Sequence, residues 1–139
     1  MADYSPVLLP GLTMTSVAAG TITGGDPVEV AGSGTVQKTT QGPSAGLGSA
    51  KCIGVAANDA VTGARVTIVV DRVVHEGAAD GAVNAGDQLM SSSIAGRQVK
   101  KVPDTGGSPG KADVDQARVI IGIALTTAVD GGTVRWMQK

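Results

Sequence analysis

The chain has 139 residues, and its 11 Lys and Arg nearly balance its 12 Asp and Glu, so neither a basic nucleic-acid surface nor an acidic tail is predicted. The hydrophobic fraction is 42%, yet no apolar run reaches the roughly 20 residues of a membrane helix, and the start lacks the pattern of a secretory signal. Cys52 is the single cysteine, which excludes an intrachain disulfide and fits synthesis in a reducing cytoplasm.

An extended N-terminal arm is predicted for residues 1–16, ahead of a single β domain at 17–139. Pro6 and Pro10 oppose a helix and would interrupt a sheet ladder. The apolar run Val7–Leu9 between them is unsuited to a solvated tail. We expect this segment to lie on a surface, either that of its own domain or that of a partner.

Strands joined by glycine-rich turns are predicted for the rest of the chain. The stretch TITGGDPVEVAGSGTVQKTT alternates apolar and polar residues around the turn Gly32–Gly34, as a β-hairpin does. After a loop at 41–50, two further strands are predicted at 52–57 and 65–74. Helix signals are weak, and only residues 112–117 offer a turn of helix.

Two blocks of the sequence occur twice, in the same order. The stretch IGVA at 53–56 reappears as IGIA at 121–124. Upstream of these, TITGGDPV at 21–28 is matched by AVNAGDQL at 82–89, with the Gly-Asp pair in register. The long loop at 103–116 accounts for the different spacing of the blocks in the second copy.

The repeat predicts the fold class. Its copies define pseudo-repeated halves at about 20–74 and 81–139, and two units are too few for a solenoid. β-Branched residues abound, phenylalanine is absent, and the 21 glycines fall mainly between apolar runs. We therefore predict a mainly β fold: a small, compact β-barrel or β-clip-like (β-tulip-like) domain whose two halves pack on one core of Val, Ile and Ala.

No catalytic, cofactor or metal site is predicted. His75 is the only histidine, whereas a metal site needs about three or four ligands. Cys52 lacks a neighbouring base and is expected to be a small buried apolar residue. The pairs Gly25-Asp26 and Gly86-Asp87 are interpreted as turn formers, in which glycine adopts a positive φ and Asp accepts backbone N–H bonds.

Trp136 is the one large aromatic residue in the body of the chain. Tryptophan is common both in cores and at interfaces, and this residue lies in the last predicted strand, near the C-terminus. Two interpretations therefore stay open: Trp136 lies in the core, or it lies at a subunit interface.

The order of the blocks resembles that of a known family. YSPVLLPG, TITGGDPVEVAGSGTV, KCIGVAANDAVTGARVTIVVDRVV and IGIALTTAVDGGTVRWMQK together resemble the head decoration, or capsid cement, proteins of tailed bacteriophages. The resemblance covers nearly the whole chain, and its most specific element is the order of the blocks rather than a single motif. The loop at 103–116 is more elaborate than the family needs.

The resemblance implies a non-enzymatic structural protein of the virion, synthesised in the host cytoplasm and bound to the outer capsid surface. Such proteins commonly form homotrimers at local threefold positions and clamp neighbouring subunits of the major capsid protein. Neither a cofactor nor a nucleic-acid or membrane partner is implied. The apolar arm is then the expected capsid contact, through Tyr4, Pro6, Val7, Leu8, Leu9 and Pro10.

Two other functions stay open. Repeated Gly-Asp turns also occur in β-clip domains that bind small ligands or sugars, which would require a concave polar pocket. The chain offers almost no aromatic platform for a sugar. A swapped-hairpin DNA-binding barrel would require a basic surface, which the balanced charges do not provide.

Overall fold

The computed structural model describes residues 12–43, 46–70, 72–103 and 111–139. Within these residues the chain forms ten strands and one helix. In chain order they are β1 (Thr13–Ala18), β2 (Pro27–Gly32), β3 (Thr35–Lys38), β4 (Cys52–Ala56), β5 (Arg65–Val69), β6 (Val74–Ala78), β7 (Gln88–Ser91), β8 (Val99–Lys101), α1 (Lys111–Val119), β9 (Gly122–Ala124) and β10 (Thr133–Gln138).

The first five strands form a closed barrel in the order β1-β3-β2-β4-β5. β2 and β3 form the predicted hairpin, and β1 pairs with β5 in antiparallel fashion. The barrel closes where β1 pairs with β3 in parallel, at Val17–Thr35 and Ala18–Val36. This closure is short, because β3 meets only the last two residues of β1.

The second five strands repeat this arrangement. Their sheet has the order β6-β10-β9-β7-β8. Followed around the barrel in the other direction, the first half has the order β1-β5-β4-β2-β3. Each strand of the second half therefore corresponds to the strand numbered five lower in the first. A parallel bridge joins Ala79, the residue after β6, to Val99 at the start of β8. The predicted mainly β fold with two repeated halves is therefore confirmed.

Each half has its own apolar core, and the two cores match position by position. The first contains Ala18, Ile22, Val28, Val36, Ala56, Ala60, Val66 and Ile68, and the second contains Ala79, Val83, Leu89, Val99, Ala124, Ala128, Val134 and Trp136 in the same order. Val55 of β4 joins the second core and so links the halves. The expected single core is thus two, because each half closes around its own interior.

Close approach of neighbouring strands explains the glycine that recurs in IGVA and IGIA. A Cβ on Gly54 would lie 2.2 Å from the carbonyl oxygen of Val69, and a Cβ on Gly122 would lie 2.3 Å from that of Met137. Each would also meet a large core side chain on the neighbouring strand. Only glycine fits at either position, so both copies need it.

The loop after β3 joins the two halves. Ser49 N donates to Ser91 Oγ (3.1 Å), and Thr39 Oγ1 donates to the carbonyl oxygen of Ser92 (2.9 Å). A third apolar cluster combines this loop with β7, the residue after β8, and α1: Leu47, Met90, Val102 and Val119. The halves are therefore packed against each other as well as covalently connected.

Two strand boundaries differ from the predictions. β1 begins at Thr13, so the last residues of the range 1–16 that was assigned to the arm belong to the barrel. The strand predicted at 65–74 is two strands, β5 and the beginning of β6. It divides because the chain passes from the first half to the second between Val70 and Val73, and the strand partner changes there.

Part of the predicted loop at 103–116 is helical. α1 spans Lys111–Val119 and is longer than the turn of helix predicted at 112–117. Val119 is fully buried in the third apolar cluster, so tertiary packing stabilises a helix that the sequence signals only weakly. Among the described residues, no helix is long and apolar enough to cross a membrane.

Candidate interaction surfaces

The predicted capsid contacts are at the N-terminal end of the chain. They lie outside the described residues: Tyr4, Pro6, Val7, Leu8, Leu9 and Pro10. The described chain starts at Leu12, whose side chain is 66% exposed, and leads directly into β1. The arm contact therefore stays a prediction, and β1 is the described strand that follows the arm in the chain.

β1 has exposed side chains on both faces. Met14 is 42% exposed, although it lies on the same face as Ala18 and directly opposite Ile68, which are both buried in the first core. Thr13 and Thr15 are exposed on the other face. This surface was not predicted, because these residues were assigned to the arm. Its signal in the sequence is the uncharged alternating stretch LTMTSV.

A second exposed apolar feature occurs once in each half. Val61 and Val129 occupy matching positions in the turns that follow β4 and β9, and they are 68% and 74% exposed. Their neighbours Ala60 and Ala128 are buried in the two cores. Core packing explains the repeated alanine but not the repeated valine, so these turns are further candidates for contact with a partner.

A cleft of about 530 Å³ lies between the two halves. Its walls include the turn Gly24–Asp26 of the first half, β6 and the turn Ala95–Gln98 of the second. The Lys38 ammonium in it lies 2.7 Å from an Asp26 carboxylate oxygen, and Arg97 donates to a backbone carbonyl. None of the described lining residues is aromatic, so the cleft offers a sugar no stacking surface.

Trp136 is fully buried in the second core. Its indole Nε1 donates to Gln98 Oε1 (2.6 Å), and its ring centroid lies 4.8 Å from that of His75. Gln98 Nε2 donates in turn to the carbonyl oxygen of Gly25 in the first half (2.7 Å). These contacts place Trp136 in the core, whereas its role at a subunit interface stays a prediction. Gln98, which no sequence motif singled out, connects the halves.

The two Gly-Asp pairs form matching turns, as predicted. Asp26 Oδ2 accepts a bond from Thr23 N (2.9 Å), and Asp87 Oδ2 accepts one from Asn84 N (2.8 Å). The glycines before the two aspartates have φ values of 93° and 91°, which glycine adopts without strain. Both carboxylates therefore hold turns in place.

The Cys52 thiol and the His75 imidazole, side chains of types that take part in catalysis in other proteins, have shifted pKa values. Burial raises the pKa of the Cys52 thiol to about 12, so the reactive thiolate is scarce at neutral pH. Burial also lowers the pKa of His75, whose Nε2 lies 2.8 Å from Gln138 Oε1. In the described part of the chain, no three His, Cys, Asp or Glu side chains cluster closely enough to hold a metal ion.

The comparisons with known proteins give a likeness of fold. No family model matches the chain, and no curated protein matches it. Among solved structures, the crystal structure of the head fiber gp8.5 N base in bacteriophage phi29 is similar, with a TM-score of 0.56. The alignment covers 94% of this chain and 95% of that chain at 13% identity, so both halves take part in the shared fold.

Proposed function

We propose that the protein is a non-enzymatic structural component of a tailed-phage head, which binds the outer surface of the mature shell as a decoration, or cement, protein. The observation that carries the proposal is a fold shared along nearly the whole of both chains with the base of a phage head fiber. The resemblance of the ordered sequence blocks to capsid cement proteins supports it independently.

The organisation of the chain suits a mechanical role. Two cores, closely packed glycines and hydrogen-bonded turns make a rigid β body. Several charged side chains are paired within the chain, such as Lys38 with Asp26 and Arg135 with Glu76. The exposed apolar side chains of β1 and of the two valine turns are then candidates for contact with a partner.

The proposed mechanism is stabilisation by differential binding. A protein that binds the mature lattice, but not its precursor or its dissociated subunits, favours that lattice by mass action. Each copy would contact neighbouring major capsid subunits through the arm residues Tyr4 to Pro10, and a homotrimer at a local threefold position would multiply these contacts. Weak single contacts then add up over the shell.

The test is binding of purified protein to mature heads that lack it. Deletion of residues 2–10 should abolish occupancy on the heads, measured by sedimentation and by particle imaging. A Gly-Ser segment of equal length in place of residues 2–10 separates the chemistry of the arm from its length. Far-UV circular dichroism and thermal unfolding establish that the body of each variant is folded.

The results distinguish the parts of the proposal. Undiminished occupancy of the deletion variant would refute the arm contact while leaving a head-bound function in place. Failure of the intact protein to bind any head, together with unchanged shell stability on heating, would refute the cement function itself.

A further inference from the structure

One edge of β1 is unpaired along most of its length as far as the described residues go. β1 extends past β3, which meets it only at Val17 and Ala18. From Thr13 to Ser16 the strand pairs with β5 on one side, and no strand of the described residues lies along its other side. Within the described residues the barrel therefore carries a short sheet edge, Thr13–Ser16, that no strand covers.

The free hydrogen-bonding groups on this edge belong to Thr13 and Thr15. Val70 N donates to the carbonyl oxygen of Leu12, and Ala18 N donates to that of Ala64, each at 2.9 Å. Because bonding residues alternate along an antiparallel ladder, the even-numbered residues of β1 bond to β5 and the odd-numbered ones point away from it. Thr13 and Thr15 thus direct both their N–H and both their C=O groups outward.

The matching strand of the second half, β6, is also an edge strand of its sheet, and the turn before β8 contacts only its end. Gln98 N donates to the carbonyl oxygen of Ala78 (2.9 Å), and a Cβ on Gly77 would lie 2.1 Å from Gln98 Oε1. The turn Ala95–Gln98 therefore packs directly against β6. The edges of the two matching strands differ in charge, because β6 carries Glu76 at the position that matches Thr15 whereas β1 carries no charged residue.

β1 also lacks the features that normally protect an edge strand. The stretch LTMTSV contains no charged residue, no proline and no glycine, and its register with β5 runs without a bulge. Leu12, Met14 and Val17 expose apolar surface beside the free groups. An uncharged, unbulged edge of this kind is a surface for pairing with another strand.

We propose that this edge pairs with the same edge of a second copy, in antiparallel fashion about a two-fold axis at Met14. Thr13 then lies opposite Thr15 of the second copy, and the two threonines exchange backbone bonds on each side of the axis. Met14 lies opposite Met14 of the second copy as a non-hydrogen-bonded pair, the kind in which side chains come closest.

The symmetry of β1 favours a second copy of the chain as the partner that pairs with this edge. The two outward-bonding residues flank Met14 at equal distances, so the strand is complementary to itself in this register. The resulting cross-strand pairs are Thr–Thr and Met–Met, which bring no like charges together. The proposal does not rest on the head-binding function. Its two-fold contact is separate from the proposed trimer, and in a shell it would join copies from neighbouring trimers.

A cysteine at the axis tests the contact directly. In a Cys52→Ser background, Met14→Cys should form a disulfide-linked dimer of the purified protein under mild oxidation, read as a dimer band on a non-reducing gel. The matched control is Thr15→Cys. Two copies of residue 15 would be about 8 Å apart between Cα atoms in this register, beyond the reach of a disulfide. We expect at least about tenfold less dimer from it.

A proline tests the hydrogen bonds. Thr15→Pro removes an N–H that points to the free edge and leaves the bonds to β5 intact, so the fold is retained, as thermal unfolding would show. Combined with Met14→Cys, it should reduce the dimer yield at least about tenfold. Equal dimer from the Met14→Cys and Thr15→Cys variants, or none from a folded Met14→Cys protein, would overturn the proposal. So would a disulfide formed only with a shell protein when heads are present.

Discussion

Gln98 connects the two cores, and its loss should destabilise the whole chain. The residue is almost fully buried, accepts a bond from Trp136 Nε1 at 2.6 Å and donates one to the carbonyl oxygen of Gly25 at 2.7 Å. Gln98→Met keeps the length of the side chain and removes both bonds. The indole N–H is then left buried without a partner.

The size of the effect follows from these contacts. Leaving the buried Trp136 N–H without a partner costs about 1–3 kcal/mol. Losing the bond to the Gly25 carbonyl, which can bond to water instead, costs about 1 kcal/mol. We therefore expect Gln98→Met to lower the free energy of unfolding by about 3 kcal/mol. Gln41→Met is the matched control, because Gln41 is exposed, and its effect should stay within about 0.5 kcal/mol.

A double-mutant cycle identifies the cause. Trp136→Phe removes the indole N–H, so Gln98→Met in that background should cost only about 1 kcal/mol, which gives a coupling of about 2 kcal/mol. The free energies come from urea unfolding followed by far-UV circular dichroism, since Trp136 is the only tryptophan. Costs that add to within about 0.5 kcal/mol would refute the proposed role of the Trp136–Gln98 bond.

Two further predictions concern pH and the repeated glycine. Burial lowers the pKa of His75 in the folded protein below its ordinary value of about 6.5, so near that pH the unfolded chain binds more protons than the folded one. The free energy of unfolding should therefore be highest above about pH 6.5 and fall as the pH drops below it. His75 is the only histidine, so His75→Gln should flatten this dependence between about pH 7.5 and 5.5 in urea unfolding, and an unchanged slope would contradict the assignment. Gly54→Ala should lower the free energy of unfolding by more than about 2 kcal/mol, because its Cβ would collide with the backbone of β5. Gly20→Ala, whose Cβ would meet nothing within 4 Å, should change it by less than about 0.5 kcal/mol, and equal costs would argue against close strand approach as the reason for the glycine.

Local patterns made much of the fold predictable. Alternating apolar residues mark the strands, and the Gly-Asp pairs mark turns whose geometry is set within a few residues. The repeat was readable because each half must satisfy the same constraints, namely buried residues at eight matching positions and a glycine that packs against Ile68 in one half and Trp136 in the other. These constraints act on residue types at fixed spacings, which one sequence displays.

The candidate surfaces were less predictable. The arm was chosen for its apolar character, but Thr13 to Ser16 belong to the barrel because β5, fifty or more residues later in the chain, pairs with them. The partner of Trp136 is Gln98, a polar residue whose role depends on the approach of the two halves. Neither contact leaves a periodic signal, because each joins segments that are distant in sequence.

The sequence by itself determined the plan of one half and its duplication, since side-chain alternation and turn chemistry are local properties of the chain. The tertiary structure alone decided that each half closes around its own core, that β5 and β6 separate, and that β3 meets only the last two residues of β1. Those outcomes depend on which strands meet and in which register. Register is set by the packing of residues that are distant along the chain, which the order of residues does not display.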